Sequence, residues 1–376
     1  MIPLRKRSST PLHYQFLLSL LLYGLILQIP KVQSQKKPKA LNNSVPAFFV
    51  FGDSTVDPGN NNYLKTIFKS NFLPYGRDFP NQIPTGRFTN GRLANDFIAS
   101  YVGVKDYLPP YLDPGLGMED LLTGVSFASA GSGYDPLTPQ ISNVMPLTRQ
   151  LEFFKEYKTR VQAEIGKERS KDLIRNSLYL VSAGTNDFVV NYFAVPVRRK
   201  VYNMPGYMGF LLQQFDDFMQ GLLELGARRI GVVGLPPMGC LPIVITLNSD
   251  ASVPSVLERG CIDYFSLLSN RHNELLQTKL HDLRVGPAGS GARIAYMDVY
   301  GPLYEVIHQG SKFGFEHVTG GCCGTGLLEA SILCNPESSV CSDASKYVFW
   351  DSIHPSEKTY YLLFQALRPQ IDFLIS

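Results

Sequence analysis

Beyond its first thirty or so residues, this chain has no apolar run long enough to form a typical membrane-spanning helix of ~20 residues. Charge of either sign is also scarce: the formal net charge is +3 over 376 residues. Arg5, Lys6, Arg7 and Lys31 lie in the first 34 residues, which hold no Asp or Glu; without those four basic groups the balance is −1. A near-neutral chain has no electrostatic case for binding nucleic acid or an acidic membrane face. Cys-x-x-Cys spacing is missing, which argues against a zinc knuckle. No tandem repeat or low-complexity linker occurs, so a solenoid is excluded. Trp occurs once, against 20 Tyr and 23 Phe, so an aromatic core or cleft must be built from Phe and Tyr.

What is present begins with a leader. Arg5 to Arg7 form a basic segment, and Phe16 to Leu27 form an apolar run of about a dozen residues, the pattern of a secretory signal peptide. Val32-Gln33-Ser34 places cleavage before Gln35. The alternative is a signal anchor, because Lys36, Lys37 and Lys39 flank the run on its far side. The expected organisation is therefore a signal peptide over 1–34, a polar tail over 35–45 and a single domain over 46–376. The hydrophobic content of 44% and charged content of 18% suit one folded globule. Asn42-Asn43-Ser44 is a glycosylation sequon, with Asn42 as the acceptor. The cysteines are Cys240, Cys261, Cys322, Cys323, Cys334 and Cys341, and an even count in a secreted chain reads as disulfides. Cys240 is expected to pair with Cys261, and the other four among themselves, with the neighbours Cys322 and Cys323 not joined to each other. A zinc set of His317 with the last four cysteines is the alternative.

Strand and helix signals alternate along the rest. Ala47 to Phe51, Leu178 to Ser182, Arg229 to Val233 and Arg293 to Met297 read as buried strands, and Leu122 to Ala128 as a weaker one. Helical periodicity marks Arg92 to Val102, Pro146 to Ile165, the segment around Leu211 to Leu225, the segment around Tyr264 to Leu280, and Ser356 to Ile375. Phe313 to Ser342, rich in Gly and Cys, reads as irregular and stapled. About five parallel strands with helices on both faces are expected, an α/β class. In such a sheet, ligands bind at the C-terminal ends of the strands.

The residues that can do chemistry fall at that edge. Phe48-Phe49-Val50-Phe51 runs into Gly52-Asp53-Ser54, which presents a serine where a strand ends. A serine hydroxyl needs a base, and the base needs an orienting acceptor. His354 follows Asp351 by three residues in Trp350-Asp351-Ser352-Ile353-His354-Pro355, so the carboxylate can set the imidazole tautomer. His308 and His317 read as surface residues. Donors for an oxyanion can come from the Ser54 N–H, from the Ser129-Ala130-Gly131-Ser132-Gly133 turn, and from the Asn186 amide in Gly184-Thr185-Asn186-Asp187. Each string alone is an ordinary turn or helix cap; order and placement raise the set above chance.

Taken together the motifs resemble the plant GDSL-type esterases/lipases of the SGNH hydrolase superfamily. They are Phe-Gly-Asp-Ser-x-x-Asp-x-Gly-Asn-Asn-Asn at 51–62, Thr-Gly-Arg-Phe-Thr-Asn-Gly-Arg at 85–92 and Phe-Ala-Ser-Ala-Gly-Ser-Gly at 127–133. Gly-Thr-Asn-Asp at 184–187, Leu-Pro-Pro-Met-Gly-Cys-Leu-Pro at 235–242 and Asp-Ser-Ile-His-Pro at 351–355 complete the series. The resemblance implies a three-layer α/β/α sandwich of the flavodoxin-like kind. It also implies Ser54 as nucleophile, His354 as base, Asp351 as its orienting acid, and Ser54, Gly131 and Asn186 as oxyanion donors. Thr55 departs from the family's usual leucine, and its side chain is expected to point away from the Ser54 hydroxyl.

The expected activity is a secreted serine carboxylester hydrolase that forms an acyl-Ser54 intermediate on an ester substrate, a lipid or another acyl ester. No metal or organic cofactor, no nucleic acid and no stable membrane anchor after leader cleavage are expected. The alternatives are an acyltransferase that passes the same acyl group to an alcohol, a binding protein that has lost activity, and a redox protein using Cys322-Cys323. Tyr63, Phe68, Phe72, Tyr75, Phe79 and Phe88 can line an acyl pocket or pack a long loop.

Overall fold

Phe48–Gly52 (β1) is buried along its whole length, as an unbroken apolar run demands of a strand covered on both faces. A computed structural model describes residues 45–195, 197–248 and 259–376. The expected leader, its cleavage point and the Asn42 sequon lie outside the described residues. Leu178–Ser182 (β2), Arg229–Val233 (β3) and Arg293–Met297 (β4) pair in parallel with β1 in the order β1-β2-β3-β4. These four strands stand where the apolar runs place them.

The expected strand over Leu122 to Ala128 is corrected. Leu122 and Thr123 close a short helix, and an extended segment over 125–129 follows. It runs along β1 through Val50 N–H to Val125 O, Phe127 N–H to Val50 O and Ser129 N–H to Gly52 O. Its ladder is too irregular to count as a strand of the sheet. Counted as a lane, it makes the spatial order 2-1-3-4-5, the doubly wound order whose switch point lies at the C-terminal ends of the first and third lanes. In this chain those ends are Gly52 and Ser182.

Helices α1 (Ala94–Tyr101), α2 (Met118–Thr123), α3 (Leu137–Ser142), α4 (Leu147–Ile165), α5 (Lys167–Asn176) and α6 (Met204–Glu224) come first. They are followed by α7 (Pro242–Asn248), α8 (Asp263–Val285), α9 (Tyr300–His308) and α10 (Glu357–Ile375). On one face of the sheet, Phe49, Phe51, Val181 and Val232 pack against Phe154, Phe218 and Leu280 of α4, α6 and α8. On the other, Phe48, Val50 and Leu180 meet Ile98 of α1 and Leu367 and Ile371 of α10. This is the α/β/α sandwich. Each fully buried Phe of β1 contributes roughly 1.5–3 kcal/mol of transfer free energy, so this strand anchors both layers.

The stapled segment is more ordered than its composition implies. His317–Gly321 (β5) pairs with Tyr347–Phe349 (β6) in a second, two-stranded parallel sheet. Disulfides join Cys240 to Cys261, Cys322 to Cys341 and Cys323 to Cys334. No free thiol is left to form the alternative zinc set. Among the described residues, no helix is long and apolar enough to cross a membrane.

Candidate active site

The edge of β1 is shaped by Gly52. Its φ of +137° suits glycine, and a β-carbon there would lie 1.8 Å from the Ser182 carbonyl oxygen. Gln150 of α4 clamps it: the side-chain oxygen accepts from Gly52 N–H at 2.9 Å, and the amide donates to Gly52 O at 2.9 Å. Asp53 N–H then bonds Ser182 O at 3.0 Å, and the chain leaves the sheet. Ser54 sits on the turn that follows, 7% exposed.

His354 Nε2 lies 2.8 Å from Ser54 Oγ, across a separation of 300 residues. Its Nδ1 lies 2.7 Å from Asp351 Oδ2 and 2.9 Å from Oδ1. A carboxylate only accepts, so the proton belongs on Nδ1 and Nε2 is free to accept from the serine. Asp351 Oδ1 also accepts the N–H groups of Ile353 and His354, at 2.8 and 2.7 Å. The loop is closed by Trp350 N–H to His354 O. Ser356 caps α10 by accepting from Thr359 N–H. The Phe88 ring lies against the imidazole, 4.9 Å between centroids.

The donor turn is fixed by Asp57 and its neighbours. Asp57 accepts from Gly59 N–H, Asn60 N–H and Ala130 N–H at 2.8, 2.7 and 3.0 Å. Asn61 donates to the Phe68 and Ala130 carbonyls and accepts from the Ser129 hydroxyl. Ala130 N–H is thereby consumed. Among the described residues, the neighbouring Gly131 N–H and the Ser54 N–H meet no acceptor. Asn186 sits at the β2 end and donates to Ser132 O at 2.9 Å, which uses one of its two amide hydrogens. Ser132 Oγ in turn donates to Gly52 O at 2.7 Å. The Gly131 turn, the serine turn and Asn186 are thus tied to one another at the switch point.

Burial governs the charged groups behind this edge. It pushes the Asp57 carboxyl up to about 6, against the backbone N–H bonds from Gly59, Ala130 and Asn60 that pull it down. Burial likewise pushes Asp187 up to about 7, despite the bond from the Thr138 hydroxyl. Asp53 is raised by burial too, and its bonds from Thr55 and the nearby His354 pull the other way. Thr55 points away from the Ser54 hydroxyl, as expected; its own hydroxyl donates to Asp53 at 2.7 Å and sits 2.9 Å from Ser182 Oγ.

The aromatic residues after Ser54 divide by environment. Tyr75 and Phe88 are buried beside the histidine loop, Phe79 packs on Tyr107, and Tyr63 is exposed. Phe68 lies 3.6 Å from where a β-carbon of Gly131 would stand. His308 and His317 stay at the surface, stacked on Tyr304 and Tyr347. An apolar cavity beneath the strand ends is lined by Val56, Ile98, Leu180, Val233, Leu303 and Ile353, among others. Ser54, Gly131, Asn186 and His354 do not line it, although Asp53, Thr55, Thr185 and Ile353 beside them do.

Sequence reasoning missed Gln150, Asp57 and Tyr75. Gln150 had a signal, a lone amide on the apolar stripe of α4; Asp57 was visible inside a motif but was given no role.

An α/β/α sandwich with a hydrogen-bonded Ser, His and Asp at its switch point has the arrangement that serine hydrolases use. The GDSL-like Lipase/Acylhydrolase family matches residues 48–367, and the chain belongs to it. An Arabidopsis thaliana GDSL esterase/lipase (At5g45960) is 56% identical over 345 residues, 92% of this chain and 91% of its own. A second from the same plant (At1g20120) is 43% identical over 325 residues, 86% of this chain and 79% of its own. The goat-rumen metagenome lipase Lip_vut3 aligns with a TM-score of 0.35 at 11% identity, over 86% of this chain and 96% of its own, too distant to add anything.

Proposed function

We propose that the chain is a secreted serine carboxylester hydrolase working through an acyl-Ser54 intermediate. Ser54 Oγ attacks the ester carbonyl carbon while His354 Nε2 takes its proton. The carbonyl oxygen becomes an oxyanion and accepts from the Ser54 and Gly131 N–H groups and the Asn186 amide. The intermediate collapses, the C–O bond to the alcohol breaks, and His354 returns the proton to the departing oxygen. Water then repeats the cycle: His354 takes its proton, the oxygen adds to the acyl carbon, and Ser54 leaves with the proton. Asp351 keeps the imidazole in the working tautomer throughout.

The observation that carries this reading is the unbroken run Ser54 Oγ, His354, Asp351 at 2.8 and 2.7 Å, beside two backbone N–H groups that meet no acceptor among the described residues. Secretion is supported by the leader pattern and by three disulfides, which persist in oxidising compartments. In this reading the domain spans 46–376, Asn42 carries a glycan, and the mature protein begins at Gln35. Edman sequencing of the secreted protein checks that start; an intact leader rejects it. For the chemistry, hydrolysis of a chromogenic ester is measured with Ser54→Ala. Turnover is expected to fall by on the order of 10³-fold or more. Wild-type turnover in that variant sinks the assignment.

A further inference from the structure

The Asp351 carboxylate receives most of its hydrogen bonds from its own turn, through Ile353 N–H and through the backbone and ring nitrogens of His354. One donor arrives from far along the chain. The Tyr75 hydroxyl donates to Asp351 Oδ2 at 2.7 Å, across 276 residues. That hydroxyl accepts in turn from Ser331 N–H at 2.8 Å. Ser331 lies in the segment closed by the Cys323–Cys334 disulfide, with a φ of +51°, in the left-handed region. Its own hydroxyl holds the segment against the loop after the serine: it faces Ile67 O and Lys69 O, both at 3.0 Å, and accepts from Lys69 N–H at 3.1 Å. Tyr75 and Trp350 are fully buried, and Phe88 is 2% exposed. The Tyr75 ring packs edge-on against Phe88, whose ring lies on the imidazole. Bulk water therefore has little room to stand in for the phenol. Burial, reinforced by the adjacent Asp351, holds the phenol well above its ordinary range, so it stays protonated and keeps donating.

We propose that Tyr75 is a positioning residue, whose hydroxyl, anchored by the Ser331 amide of the disulfide-closed segment, locks the Asp351 carboxylate in the rotamer that aims His354 at Ser54. The proposal rests on the reading of Ser54, His354 and Asp351 as the reacting set. Without the phenol, Oδ2 would keep the imidazole alone as partner, and the buried Ser331 N–H would lose its acceptor. Orientation of the base is what suffers, and orientation is paid in kcat. Tyr75 is fully buried and offers a substrate no surface, so KM has no reason to move.

The test is Tyr75→Phe, which keeps the ring and removes only the hydroxyl, measured on the full mature protein by ester hydrolysis across pH. A fall in kcat of about tenfold or more is expected, with KM within about twofold. The acid limb of kcat/KM is expected to move to higher pH, because a carboxylate that has lost a donor binds the proton of the Asp351–His354 pair more readily. The other titratable groups facing this pair, Asp53 from the β1 end and Tyr360 from α10, are untouched by the substitution. Tyr360→Phe serves as control: it removes a buried hydroxyl that has no hydrogen-bond partner among the described residues, and kcat and pH profile are expected to hold. Ser331→Gly suits a φ of +51° and keeps the N–H that bonds the Tyr75 hydroxyl, but removes the side-chain hydroxyl that holds that N–H in place against Ile67 and Lys69, so it loosens the anchor rather than the bond itself. It should lower kcat less than Tyr75→Phe but shift the acid limb the same way. Wild-type kcat and pH profile in a folded Tyr75→Phe overturn the proposal; if that variant does not fold, the same result in Ser331→Gly does. Failure of the underlying reading looks different, as turnover that survives Ser54→Ala.

Discussion

A serine hydroxyl reacts with an ester near neutral pH only when a base takes its proton, so each residue around Ser54 has a separable job. Asp351→Asn keeps the shape but can present an amide N–H to the ring, which favours the wrong imidazole tautomer. A fall in kcat of about 10⁴-fold is expected, read from initial rates. Asn186→Ala removes one of the three proposed oxyanion donors and is expected to cost about 10²–10³-fold in kcat, with a smaller change in KM. Equal rates for Asn186→Ala and wild type would remove Asn186 from the reacting set. That Ser54, Asp351 and His354 come together was legible in the sequence because their types and spacing have few other uses together. The choice between the Ala130 and Gly131 N–H groups was not legible. It depends on Asp57 reaching Ala130 through space, 73 residues along the chain. Tyr75 was legible only as an aromatic residue, since the partner of its hydroxyl lies in a distant loop.

Among the elements, β1 bears on both core and site. Gly52→Ala would drive a methyl group into the Ser182 carbonyl at a backbone angle that other residues rarely adopt. Loss of soluble protein, or a drop in stability of roughly 3 kcal/mol or more, is expected from denaturant titration. Asn61→Ala would leave the Ser129 hydroxyl and the Phe68 and Ala130 carbonyls short of partners. Each buried orphan costs about 1–3 kcal/mol, so a lowered Tm together with slower turnover is the expected pair of effects. Strands β1 to β4 could be read from unbroken apolar runs, which have no competing periodicity. Helix α5 could not: it is charge-rich and buries Ser170 and Ile174 alone. The lane over 125–129 was half legible, because its apolar residues continue straight out of α2 and mask where the helix stops.

The whole molecule carries opposing titrations. Asp57 and Asp187 are held at about 6 and about 7, above the ordinary 3.8. Between pH ~4 and those values the unfolded chain has released protons that the folded chain keeps, so their contribution to stability is full below pH ~4 and is lost as pH rises through 6 to 7. His272 runs the other way. Burial pushes it from 6.5 down to about 4, so its contribution is present above 6.5 and is lost as pH falls towards 4. His272→Leu removes the opposing group. Its Tm is expected to gain more than that of wild type between pH 7.5 and 5.5; a smaller gain contradicts these assignments. None of this was visible in the composition, because burial and not residue type sets these values. The α/β class was visible in the alternation of strands and helices. The side of β1 on which 125–129 lies was not, and that placement creates the switch point where the site stands.

The most direct measurement is peptide mapping after reaction of the intact protein with a fluorophosphonate, which traps the attacking oxygen of a serine hydrolase. The adduct is expected on the peptide that carries Ser54, and Ser54→Ala is expected to remain unlabelled. An adduct on a different serine with Ser54 unmodified, or undiminished labelling of Ser54→Ala, would contradict the assignment of Ser54 as the attacking group.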